Sequence, residues 1–150
     1  MEELLELREL LVGGNISEAL LLVEEMTEMS KDDKINKISS YAKILLLRLI
    51  KRSAEQRTTR SWNLSIKNAV NEIQKTNRRR KAGGTYLNEA ELRETFVEIY
   101  NISLELSAAE AFGGAYESAE LGARVDREGM IQEAINLVFG DTVWTNHRLS

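Results

Sequence analysis

Carboxylates at helical spacing are the first residues in this chain that could do chemistry. Glu25 and Glu28, Glu91 and Glu94, and Glu94 and Glu98 lie three or four residues apart, so each pair shares one helix face. Inward-facing carboxylates of this kind hold magnesium in helical nucleotide pyrophosphatases. A matching Glu-x-x-Asp on the following helix is absent, and Glu91 is better explained as part of a helix cap. Solvated faces are therefore the expectation. A carboxylate di-iron centre needs a Glu-x-x-His motif on each of two helices, and the single histidine, His147, falls in the C-terminal tail. The chain has no cysteine, which excludes thiolate metal sites, disulfides and a cysteine nucleophile. No catalytic residue, metal or cofactor is expected. The glycine pairs at 13–14, 83–84 and 113–114 fit no phosphate-loop pattern and are expected to be helix stops.

Positive charge is concentrated. Residues 43–81 hold 12 Lys or Arg against 2 Asp or Glu, a net +10, so the rest of the chain carries −14 to reach the overall −4. A basic face can bind phosphate backbones, with salt-dependent affinity. Lys75, Arg78, Arg79, Arg80 and Lys81 are the candidate nucleic-acid contacts. The competing expectation, and the favoured one, is that cations at a helix C-terminus meet the helix dipole and pair with neighbouring acidic helices.

Arg57, Arg60, Ser61 and Trp62 form a second candidate site. Two arginines beside a helix N-terminus could hold a phosphate or carboxylate on free backbone N–H groups, and arginine can stack on the indole. The favoured alternative is structural: Trp62 anchors the core and the arginines fix the turn to a carboxylate. Trp144, with Val143, is an apolar remnant in the polar tail, expected to pin the tail to the bundle, the alternative being a contact with a partner.

Amphipathic helices must position these groups. Leu4, Leu7 and Leu11 predict a short helix over 2–12. Ser17 is the expected cap of a second, with Ala19 or Leu20, Val23 and Met26 or Thr27 inward. Ser30 is the expected cap of a third, over about 31–54. There Ile35, Ile38, Ala42, Leu45 and Leu49 step by 3, 4, 3 and 4, with Leu46 and Ile50 widening the seam. The pattern lapses at 56–59. Thr59 or Ser61 then caps a helix carrying Trp62, Ile66, Ala69 and Ile73, predicted to run to about Arg80. Asn88 and Glu91 form a capping box and Leu87 with Leu92 a hydrophobic staple. They open a helix over 89–111 whose inner stripe is Leu92, Phe96, Ile99 or Tyr100, Ser103 and Leu106. Residues 115–122 are a weaker helical continuation. Asp126 is expected to cap a last helix with Met130, Ile131, Ala134, Ile135 and Val138 inside.

Composition agrees with this pattern. The 150 residues suit one domain, and the absence of proline favours long helices. No run reaches 18 apolar residues; the longest, Ile44 to Ile50, is interrupted by Arg48. The acidic opening MEELLELREL is unlike a secretory leader. A soluble cytoplasmic protein is expected.

The stretch Leu45-Leu46-Leu47-Arg48-Leu49-Ile50-Lys51, then Glu55-Gln56-Arg57, Arg60-Ser61-Trp62 and a helix ending Asn71-Glu72-Ile73, resembles the core of domain-of-unknown-function family twenty-nine. The acidic helix from Glu89 to Ala111 and the short helix from Arg127 to Val138 are also similar, so the resemblance spans roughly residues 5–140. It implies a bacterial, all-helical protein and no assigned activity. The family's aromatic opening segment is missing or truncated here, and Lys51-Arg52-Ser53-Ala54 replaces the aromatics that often end its apolar helix.

The expected architecture is all-α: a single antiparallel bundle of five or six helices over 1–140, with 141–150 as a tail. The expected function is a non-catalytic protein-interaction or scaffold domain, with another protein or a second copy as partner and no membrane contact. The alternatives are a nucleic-acid-binding module through 43–81 and a small-anion or nucleotide binder at Arg57 and Arg60.

Overall fold

The computed structural model describes residues 2–79 and 83–140. Among them are six α-helices and no strand: α1 (Glu2–Val12), α2 (Ile16–Glu55), α3 (Arg60–Asn77), α4 (Glu89–Glu110), α5 (Ser118–Gly122) and α6 (Arg127–Phe139). The all-α bundle is as expected. Consecutive long helices run antiparallel. On α2 and α3, Lys37 pairs with Glu72 while Arg52 reaches Asn63. The third helix, α4, therefore returns parallel to α2.

Two serines hydrogen-bond α4 to the backbone of α2. The Ser103 hydroxyl donates to the Lys43 carbonyl at 3.3 Å, and the Ser107 hydroxyl to the Leu47 carbonyl at 3.0 Å. Both serines are fully buried. Small side chains here let two helix backbones approach, and each α4 hydroxyl adds a second bond to a carbonyl that α2 already uses within itself. The core forms around this contact and the seam from α2. Ile38, Ala42, Leu45, Leu46, Leu49 and Ile50 join Ile66, Ala69, Val70 and Ile73 of α3 and Leu92 and Phe96 of α4. The expected inner face of α6, from Met130 to Val138, closes the cluster.

Helix boundaries correct several expectations. Ser30 caps nothing, because α2 runs unbroken through it. No glycine or proline lies between residues 16 and 55, and the polar stretch can stay helical. Thr27 donates to the Val23 carbonyl one turn back at 2.8 Å. Asn15, rather than Ser17, occupies the position before α2, without a side-chain cap bond. Leu106 is exposed and Ser107 takes the inward place, since a leucine there would hold α4 off α2. Leu20 and Val23 are also exposed, leaving Ala19 as the buried residue of that stretch.

Two starts are as predicted. The Thr59 hydroxyl accepts from the Trp62 N–H at 3.0 Å. Asn88 and Glu91 exchange both capping-box bonds, at 2.8 and 3.0 Å. Asp126 sits at the start of α6 without a side-chain cap bond. The break after α4 is a 3₁₀ turn, Ala111–Gly114, in which Phe112, Gly113 and Gly114 are consecutively left-handed. Glycine is suited to that conformation, so this pair stops the helix as expected. Only Ser118–Gly122 of the expected 115–122 continuation is helical.

Helix α3 ends earlier than predicted, at Asn77 and not near Arg80. Arg78 is extended and bridges to Thr85, the Arg79 N–H donates to the Gly84 carbonyl, and the Tyr86 N–H returns to the Asn77 carbonyl. A tight reversal thus replaces the last helical turn. The expectations placed on Arg80, Lys81, Val143, Trp144, His147 and the 141–150 tail lie outside the described residues.

Candidate functional site

The turn between α2 and α3 is built by local rules. Gln56 takes the left-handed conformation and its N–H bonds the Ser53 carbonyl, which frees the chain to cap α3 with Thr59. Trp62 then faces back on α2. The Lys51 ammonium lies 4.7 Å and the Arg57 guanidinium 4.6 Å from its ring. Only 9% of Trp62 is exposed. Both cations lie within reach of the ring's negative face.

Arg57 is therefore engaged twice, on Trp62 and with the Glu55 carboxylate at 3.1 Å. This is the arrangement in which the arginine fixes the inter-helix turn. Arg60 goes elsewhere. It is exposed and lines a cleft of about 430 Å³ with Thr58, Thr59, Asn63, Leu64 and Lys67. The structure joins Arg57 to Trp62, and Arg60 to Lys67, while Ser61 is exposed and lines neither contact. Lys51 and Lys67 are the two cations that the sequence reading of this turn missed. The i, i+7 spacing of Arg60 and Lys67 was the available signal for the second.

The basic segment divides in two. On α2, Arg48 and Lys51 pair with Glu110 and Arg52 with Glu133, so these cations are matched inside the bundle. On α3, Arg60, Lys67 and Lys75 have no carboxylate partner among the described residues, and Arg78 just beyond has none either. Arg60, Lys67 and Lys75 recur on the helix over about 23 Å, at 1.5 Å per residue. Arg78 is the C-cap of α3 and Arg79 follows it into the reversal, so both cations still lie beside the helix C-terminus; Arg79 stacks on Tyr86 with 5.7 Å between them.

A second cleft, about 590 Å³, lies where the reversal meets the N-terminal helices, between Arg79 and Tyr86 on one side and Leu7, Val23, Met26 and Lys31 on the other. Among the described residues no three His, Cys, Asp or Glu side chains group as metal ligands do. Glu25 and Glu28 are exposed, and Glu91 is used in the capping box. No helix among the described residues is long and apolar enough to cross a membrane.

The family model described as Domain of unknown function DUF29 matches residues 18–119. The chain belongs to this family. The DUF29 match takes in nearly all of α2, the Trp62 turn, α3 and α4, and leaves α1 and α6 outside it. No curated protein and no solved structure matches the chain.

Proposed function

We propose that this DUF29 chain is a helical protein-interaction or scaffold domain without catalytic activity. The observation that carries the reading is the overhang of α2. At 1.5 Å per residue its 40 residues span about 60 Å, while the core cluster begins only at Ile38. The first half of α2, with α1 folded beside it, extends beyond this core as an arm on which Leu4, Leu5, Leu11, Val12, Ile16, Leu20, Leu21 and Val23 are exposed. Large exposed apolar surface of this kind marks interaction sites.

The same reading takes residues 1–140 as the bundle domain and 141–150 as its tail, in a bacterial cytoplasm, with another protein or a second copy as partner. The test is enzymatic. Purified protein with magnesium and a panel of nucleoside triphosphates is expected to give no turnover. Hydrolysis that is abolished by Glu25→Gln would overturn the proposal.

One observation favours nucleic acid as the alternative: the unmatched row of Arg60, Lys67, Lys75 and Arg78. Phosphate contacts make affinity fall steeply with salt. A duplex or single strand that binds at about 50 mM salt, and binds less after Lys75→Glu, would establish this alternative; no affinity there would remove it. The anion-binding alternative at Arg57 and Arg60 has less support, because Arg57 is already held by Glu55 and Trp62.

A further inference from the structure

The arm has a composition that selects its partner. Of α1, no residue is buried, and among the described side chains of residues 16–34 in α2 only Ala19 is. The apolar residues left outside follow heptad spacing: Leu4 with Leu11, Leu5 with Val12, and Ile16 with Val23. Side chains repeated every seven residues on a helix surface form a seam suited to another helix. Each helix of the arm carries such a seam, α1 packs against α2, and Leu20 and Leu21 add exposed apolar surface to the second helix.

Charge decides what kind of helix. Residues 2–28 contain eight Glu and a single basic residue, Arg8, a net −7. Two arms laid against each other would bring these carboxylates together, and like charges across a helix pair disfavour it. The cationic outer face of α3 in a second copy would answer the charge. It offers Leu64 as its one exposed large apolar residue among those described, too little to cover the arm's seams. Among the described residues, therefore, no surface of this chain is both apolar and basic on the required scale.

We infer that the arm formed by α1 and the first half of α2 docks a basic amphipathic helix of a different protein, its leucine-type seam lying along Leu4–Leu11 and Ile16–Val23 and its Lys and Arg flanks against the arm's glutamates. This rests on the interaction-domain reading and names the partner's chemistry. A helix in a groove between two helices is a recurrent recognition mode, read as anchors at i, i+3, i+4 and i+7. The acidic flanks set orientation and exclude acidic helices.

Two designed peptides of about three heptads, with the same leucine seam, test it against the full chain: one flanked by Lys and Arg, the other by Glu. Fluorescence anisotropy is expected to show saturable binding of the basic peptide, at least about tenfold tighter than the acidic one and weakened by added salt. Leu11→Glu with Leu20→Glu, at two exposed positions, is expected to abolish it while leaving the circular dichroism unchanged. Equal binding of both peptides, or binding of neither, overturns the inference. So does light scattering that gives a mass of two chains, lost in the same double variant, because a second copy then covers the arm. That last outcome leaves the interaction-domain reading standing, whereas magnesium-dependent turnover removes that reading whatever the peptides do.

Discussion

Asn77 holds Leu87 on both sides of its backbone: the carboxamide oxygen accepts the Leu87 N–H at 2.8 Å, and the carboxamide nitrogen donates to the Leu87 carbonyl at 3.0 Å. The pair is buried. It stops α3, shapes the reversal and delivers Leu87 to the start of α4.

Asn77→Ala leaves the buried Leu87 N–H without a partner, while its carbonyl still accepts from Thr85 at 2.7 Å. An orphaned buried group costs about 1–3 kcal/mol. The urea midpoint is expected to fall accordingly. Thr85→Val, which leaves the carbonyl its Asn77 donor, is expected to cost less.

Tyr100 should respond the other way. Its hydroxyl is buried and has no partner among the described residues, so Tyr100→Phe removes an unsatisfied group and is expected to stabilise by about 1 kcal/mol. A lower melting temperature for the variant would contradict this.

The same residue predicts an alkaline limb. Burial pushes the Tyr100 phenol above its ordinary value of 10.0; the Arg127 guanidinium draws it back, and Asp126 adds a smaller push upward. The unfolded chain therefore loses this proton first, and stability falls as pH rises past 10.0 until the native phenol also ionises. Chemical denaturation of wild type and Tyr100→Phe across this range should show a limb that the variant lacks.

The close α2–α4 approach should tolerate shortening better than enlargement. Ser107→Ala loses one hydroxyl bond to a carbonyl already used by its own helix, at a cost near 0.5–1 kcal/mol. Ser107→Leu must push α4 away and is expected to cost about 1–3 kcal/mol or more. Equal melting temperatures for the two would refute the packing described here.

Arg57→Ala uncovers part of Trp62. In a Trp144→Phe background the indole emission is expected to move to the red, with a stability loss of about 0.5–1 kcal/mol. An unshifted spectrum would mean that Arg57 contributes nothing to the indole's environment.

The buried half of this protein was legible because its signals are local and periodic. Ile38 to Ile50, Trp62 to Ile73 and the Asn88–Glu91 cap announce themselves by spacing alone. The errors came where a local signal competes with a distant one. Ser30 resembles a cap, but nothing around it forces the chain out of the helix. Arg78 looks helical until Asn77 is seen to bind Leu87 ten residues on. Leu106 fits the stripe better than Ser107 on hydrophobicity, and only the nearness of α2 reverses the choice. At the candidate site, the partition of Arg57 to Trp62 and Arg60 to Lys67 depends on how α2 and α3 meet.

The uninterrupted helix from Ile16 to Glu55 has a mechanical consequence. With no glycine or proline along it, it works as a ruler. Whatever seats on its free end is held at a fixed separation and bearing from the Trp62 corner, about 60 Å of rigid rod away. A load applied at one end arrives at the other as torque on the bundle, not as bending in between.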